Sequence, residues 1–238
     1  MKKNLAKKAE RSEDLSAFTE YCGVQVFRDR AERLVQTINK GQEILLWGYI
    51  GAAGTCYLQE YCREELAARL PGHFIRSASF LKDQASCWPD LDMLSREGLV
   101  TAAFPVEEGG LLAALGQLAG CSQYGFVIDY ESVPVHQATV EFCEIFDLNP
   151  WQIYGGGCAL LIADHGFTVA ARLKAAAGMA SAGNIPCKVI GYISDDQDKL
   201  ICHDDVRSCL NRPQPDDILK VLKAEHRIRP QEHLTATD

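Results

Sequence analysis

Long apolar runs are missing from this chain. The most apolar stretches, Ile44–Ile50 and Cys158–Ala163, fall far short of the ~20 residues that a membrane-spanning helix needs, so no transmembrane helix is expected. Positive charge is also in short supply: 24 Lys and Arg stand against 32 Asp and Glu, a formal net charge of −8. A nucleic-acid backbone or an anionic membrane surface is therefore not the expected partner. The start, Met1-Lys-Lys-Asn-Leu-Ala-Lys-Lys, is basic, but Glu10, Arg11, Glu13 and Asp14 occupy the place of the apolar stretch that a secretory signal requires. No export is expected, and the location expected is cytoplasmic. There is no C-x-x-C pair and no repeated zinc-ligand spacing among the ten cysteines. In a long chain without a secretory signal those thiols are expected to be reduced and mostly free, with Cys143 and Cys158 buried as small hydrophobes. No metal site is expected. Neither a Walker A nor a Rossmann fingerprint occurs, nor any internal repeat.

What is present suffices for a packed core: 47% of the residues are hydrophobic and 24% charged. Residues 1–21 are charged, with only Leu5, Leu15 and Phe18 as sparse apolar positions, and read as an arm or a partner-dependent helix. From there Val26, Phe27, Ala31, Leu34, Val35 and Ile38 recur at helical spacing, predicting a helix over Val24–Ile38 that Gly41 closes. Glu43–Tyr49 reads as a buried strand, Cys56–Leu70 as a helix ended by Pro71-Gly72, Phe80–Lys82 as a short helical stretch and Leu91–Glu97 as a further helix. Thr101–Pro105 predicts a strand, and Leu111, Leu112, Leu115 and Leu118 form the strongest helical stripe. A strand at Tyr124–Tyr130, a helix at Val135–Phe146, a strand at Ala159–Ala163 and an Ala-rich helix at Thr168–Gly178 follow. Cys187–Ser194 and Lys199–Cys202 are predicted to pair as a hairpin across Asp195-Asp-Gln-Asp198, with a short helix at Asp216–Glu225 beyond. Strands alternating with helices imply an α/β (α+β) fold, helices on a mixed sheet. The expected division is a helical arm over 1–40, one domain over 41–222 and a polar tail over 223–238.

Three glycine-rich turns carry the candidate chemistry. Gly48, Gly51, Gly54 and Thr55 follow a strand and lead into a helix, an arrangement that lets backbone N–H groups approach a phosphate, or simply makes a tight connection. Glu107, Glu108, Gly109 and Gly110 open the Leu111 helix; the two carboxylates complement its dipole, disfavour an anion and offer oxygens to a hard cation or a basic ligand. Gly155, Gly156 and Gly157 precede a buried strand and allow close backbone approach to a ligand or to another subunit. Cys158 would need a neighbouring base to act as a nucleophile, and no catalytic residue is assigned. His136 and His165 read as capping or surface residues. Cys202-His203-Asp204-Asp205 has the composition of a metal site, but neighbours on a strand face opposite sides, so a solvated loop is expected.

The order of these pieces resembles the AIR synthase and hydrogenase-maturation (HypE) superfamily. Glu107-Glu-Gly-Gly-Leu-Leu-Ala-Ala-Leu-Gly-Gln-Leu-Ala119, then Tyr124-Gly-Phe-Val-Ile-Asp129, Val133-Pro-Val135 and Phe142-Cys-Glu-Ile-Phe-Asp-Leu-Asn-Pro150 are similar to the glycine-opened helix, acid-ended strand, "PV" turn and "CELLGLDP" helix end of that superfamily. Trp151–Ala163 and Cys187–Ser194 continue the likeness. The resemblance implies a three-layer PurM carboxy-terminal-like domain with ferredoxin-like elements, a homodimer, and a part in ATP-dependent chemistry.

Departures from the pattern shape the functional expectation. About forty residues precede the first strand, too few for the domain that binds magnesium and ATP in the superfamily. The phosphate-side loop "DPTRGG" is replaced by Phe104-Pro-Val-Glu-Glu-Gly-Gly110, with Glu108 where an arginine would stand. Repulsion between two like charges at ~4 Å is about 4 kcal/mol at an effective dielectric of ~20. Leu222 falls where HypE ends in its group-carrying cysteine. The resemblance then implies an accessory or ligand-binding module with no ATP chemistry of its own and no cofactor, ATP and magnesium entering only with a partner domain. The alternative is one component of an ATP-dependent synthase or maturation-type enzyme, completed by a separate ATP-binding or maturation protein.

Overall fold

The structure is a computed structural model that describes residues 24–32, 34, 36–177 and 185–222. Its centre is a mixed seven-stranded sheet: β1 (Glu43–Trp47), β2 (Ala102–Pro105), β3 (Phe126–Asp129), β4 (Ala159–Ala163), β5 (Cys187–Ile193), β6 (Lys199–His203) and β7 (Val206–Cys209), in the order β2-β4-β1-β5-β3-β6-β7. All neighbours are antiparallel except β3 and β6. Strands β1 and β4 read as continuous apolar runs because helices cover both of their faces.

One face is packed by α7 (Gly110–Cys121), whose Leu111, Ala114, Leu115 and Leu118 meet Ile44, Leu46, Phe104, Leu160 and Ile162. The opposite face carries α1 (Val24–Glu32), α6 (Leu91–Arg96) and α9 (Gly166–Ala177), with Phe27, Leu94, Val169 and Leu173 against Leu45, Trp47 and Leu161. Period-two alternation along β1 therefore separates two cores. A third core lies beside the sheet, where α2 (Ala52–Tyr61), α3 (Arg63–Ala67), α4 (Gly72–Ser77), α5 (Leu81–Ala85) and α8 (Gln137–Ile145) bury Leu58, Leu66, Leu81 and Phe142 together with Ile218 and Leu222. Thus the described part of the expected arm packs on the domain: Phe27, Ala31, Leu34 and Ile38 are buried.

Most expected elements are present with shifted ends, and two expectations are corrected. The long helix over Cys56–Leu70 is broken at Cys62, whose φ −112, ψ 38 ends α2 before α3 begins. The predicted hairpin of β5 with β6 does not form, because β3 lies between them, antiparallel to β5 and parallel to β6. The hairpin is made by β6 with β7 instead, across a turn in which Asp204 takes φ 50. The polar tail over 223–238, residues 1–21 and the end of the predicted Asp216–Glu225 helix lie outside the described residues.

The β3-β6-β7 end of the sheet lies beyond α1, α6 and α9: no residue of β3, β6 or β7 joins the core under these helices, whereas β5 still meets it through Cys187. On that side Val189 and Tyr192 are exposed, Tyr192 at 50%, and Phe167 at the start of α9 is 85% exposed.

Candidate functional site

Strands β1, β2, β3 and β6 all point their carboxy-terminal ends to one edge of the sheet, and the three glycine turns meet there. Val106 accepts at its carbonyl from the N–H of Gly156 (3.2 Å) and donates to the carbonyl of Cys158 (2.8 Å). From the start of α2, Ala53 N–H donates to the carbonyl of Gly155 (2.7 Å) and Gly54 N–H to that of Tyr154 (3.0 Å). Thr55 is fully buried, its hydroxyl between the Gly51 carbonyl and the Thr139 hydroxyl, 2.8 Å from each. The donors with which a helix N-terminus would greet an anion are thus used by the chain's own carbonyls.

Backbone contact explains the glycines. At Gly110, φ 62, a Cβ would lie 2.5 Å from the Trp151 carbonyl oxygen; at Gly157, φ 56, it would collide with the carbonyl oxygen of Gln84. Every one of the candidate residues Gly48, Gly51, Gly54, Thr55, Glu107, Gly109, Gly110, Gly155, Gly156 and Gly157 is buried, and only Glu108 is exposed. Glu107 is held in an ion pair with Arg28 of α1.

Sequence reasoning missed the acid that completes this edge. Asp216 is buried, and its Oδ2 accepts from Gly109 N–H (2.8 Å) at the start of α7 while Oδ1 accepts from Ile218 N–H (2.9 Å). Burial pushes its carboxyl up to about 7, against the two N–H donors that favour its charge and with nearby Glu108 and Asp217 adding to the rise. Asp217 beside it accepts from Asn149 N–H (2.9 Å) and from Lys220 Nζ (3.0 Å). The available signal was a pair of aspartates directly after Pro213 and Pro215, where Pro213 packs over Gly116 of α7.

Cys143 and Cys158 are buried thiols held in their neutral form. Cys158 is fully buried and burial raises its thiol far from ionisation; Cys143 is likewise pushed up to about 12. His136 caps α8, its Nδ1 accepting from Ala138 N–H (3.1 Å), as a capping histidine should; burial lowers its tendency to protonate. Tyr130 stacks on Trp151 at 4.8 Å and touches His203 at 4.8 Å. Cys202 and His203 do face opposite sides of β6, but His203 and Asp204 meet Glu131 from a distant segment, their tips within 4.8 Å. These exposed groups, one nitrogen and two oxygen donors, are the described residues that could hold a cation.

Away from the glycine turns, α2 to α5 enclose a groove with a cavity volume of about 810 Å³, lined in part by Tyr57, Tyr61, Arg63, Arg76 and Lys82. None of the eleven candidate residues lines it.

No protein-family model matches the chain, and no curated protein matches it. Solved structures do. "E. coli HypE, a hydrogenase maturation protein" is matched at 21% identity and TM-score 0.56, over 76% of this chain and 53% of that one. "Hydrogenase Maturation Protein HypE in complex with ATP" is matched at 18% identity and TM-score 0.60, over 76% and 53%. A "HypE-HypF complex" is matched at 18% identity and TM-score 0.55, over 74% and 54%. The chain spans about half the length of these structures, and what it shares with them is a mixed α/β fold of the HypE kind.

Proposed function

We propose that this chain is an accessory, ligand-binding module built on the carboxy-terminal half of the HypE-like fold, with no ATP chemistry of its own. The observation that supports it most is the occupied start of α7. A carboxylate, Asp216, already takes the Gly109 N–H at 2.8 Å, and a phosphate arriving there would have to displace it and face Glu108 as well. A neighbour of this fold was solved in complex with ATP; in this chain the glycine turns are spent on internal packing. Incubation with Mg-ATP is expected to release no phosphate or pyrophosphate above the buffer rate. Glu108→Arg and Asp216→Asn test the turn itself. Turnover of ATP, or saturable nucleotide binding by the wild-type chain that either variant changes several-fold, overturns the proposal; affinity that appears only in a variant supports the blocking role of Glu108 and Asp216.

A second reading is supported by the side of the sheet beyond α9, where no residue of β3, β6 or β7 joins the helix-covered core and Val189, Tyr192 and Phe167 are exposed. In it the chain is one component of an ATP-dependent synthase or maturation-type enzyme, and a separate ATP-binding chain covers that face; a HypE neighbour was solved with a partner, HypF. Covering by a second copy would give the homodimer instead. Sedimentation of wild type and Tyr192→Lys separates these: loss of a dimer in the variant selects self-association, and a monomer in both selects a different chain or none. No transmembrane candidate exists among the described residues, and a cytoplasmic location remains part of the proposal.

A further inference from the structure

We infer that the groove enclosed by α2 to α5 binds a small aromatic anion, its ring on the Tyr57–Tyr61 wall and its phosphate or carboxylate between Arg63, Arg76 and Lys82. This rests on the reading of the chain as a ligand-binding module and names where it binds and what.

Charge comes first. The chain carries an excess of eight acidic charges, yet the lining of this concavity holds three cations, one each from α3, α4 and α5, and one carboxylate, Glu60, with Asp83 acting on lining Cys56 from beside Lys82. Low-dielectric walls with one sign of charge concentrate the field inside a cleft. Neither the Arg63 nor the Arg76 guanidinium enters a hydrogen bond or an ion pair among the described residues. Arg76 lies back over Gly72, where an ideal Cβ would be 3.4 Å from its Nη1. Guanidinium is the side chain best matched to a planar or tetrahedral oxyanion, through paired N–H donors.

Shape and apolar chemistry come second. Tyr57 and Tyr61 are one helical turn apart on α2, with ring centroids 4.7 Å apart at 31°, and Tyr61 is 61% exposed. A large aromatic ring so exposed beside cations offers a surface on which a ligand ring can stack. The frame is fixed: Gln59 Nε2 on α2 donates to the Ile75 carbonyl (2.8 Å) and the Ser79 hydroxyl (3.1 Å), tying the far wall to the near one. The volume of about 810 Å³ is in the range of small-molecule sites.

Phenyl phosphate, inorganic phosphate and phenol, titrated separately by calorimetry into the purified full chain at low salt, test the proposal. Saturable binding of phenyl phosphate is expected with Kd on the order of 0.1–1 mM. Combined Arg63→Ala and Arg76→Ala should weaken it at least about tenfold. Tyr61→Ala should weaken phenyl phosphate several-fold while leaving inorganic phosphate unchanged. No saturation at ten millimolar, or an affinity that the double arginine variant leaves intact, overturns the site. Equal binding of phenyl and inorganic phosphate overturns the aromatic part of it. Failure here is distinct from failure of the module reading, which shows as ATP turnover or as nucleotide affinity sensitive to Glu108 and Asp216. Nucleotide binding lost in the double arginine variant belongs to the groove.

Discussion

The glycine junction and the α2–α5 groove are neighbours joined by one helix, and they divide burial and charge in opposite ways. At the junction backbone donors meet backbone carbonyls, with Asp216 closing the start of α7 at 2.8 Å. In the groove the side chains are exposed and the guanidiniums of Arg63 and Arg76 have no partner among the described residues. The contrast teaches that glycine-rich turns signal close backbone approach, whoever approaches. Here the second backbone belongs to the same chain. Groups able to receive an outside anion sit where no motif marks them.

Perturbing the junction should cost far more than perturbing the groove, and four experiments grade that difference. Gly157→Ala is expected to be the most damaging: positive φ and a collision with the Gln84 carbonyl should lower unfolding free energy by more than about 3 kcal/mol, read from denaturant midpoints. Asp216 comes next. Burial holds its folded carboxyl up at about 7, against an ordinary value of 3.8 in the unfolded chain. The native state therefore holds a proton that the unfolded chain has lost, and stability falls as pH rises from about 4 to about 7. That loss is on the order of 2–4 kcal/mol, and Asp216→Asn should flatten it in melts at pH 5 and pH 8. Thr55→Val leaves the Thr139 hydroxyl without its partner and should cost about 1–3 kcal/mol in the same assay. Arg63→Ala with Arg76→Ala should shift stability by no more than about 0.5 kcal/mol; a large loss would move the groove to the structural side of the comparison.

What could be read from the sequence follows the range over which its physics acts. Periodicity located α7, β1 and β4 because an apolar stripe or run is itself the local consequence of one covered face or two. Burial of Cys143 and Cys158 was legible from the same runs. Pairing was not: β5 and β6 adjoin in sequence and each is a strand, but β3, from much earlier, separates them. Local hydrophobicity cannot distinguish that insertion from a hairpin. The glycine positions were found, with a tight connection among the expectations for residues 48–55, but the approaching backbones were not, since the carbonyls of Trp151, Tyr154 and Gln84 come from other segments. Asp216 was hidden for the same reason: nothing near Pro215 says that its carboxylate reaches Gly109. Tyr57 and Tyr61 were visible at helical spacing, but their cationic neighbours converge only when α2 to α5 fold back on one another.

Strand order also sets a timetable for the growing chain. The internal strand β1 pairs with residues 159–163 on one side and 187–193 on the other, so at about 5–20 residues per second its first edge stays unpaired for on the order of 6–23 s and its second for on the order of 7–29 s after Trp47 is made. During that interval Ile44-Leu-Leu-Trp47 is an apolar segment with two free edges, open to pairing with any other strand. Its safe passage depends on whatever shields it in the meantime, and synthesis slowed between Gly48 and Gly157 should raise the aggregated fraction of newly made chains.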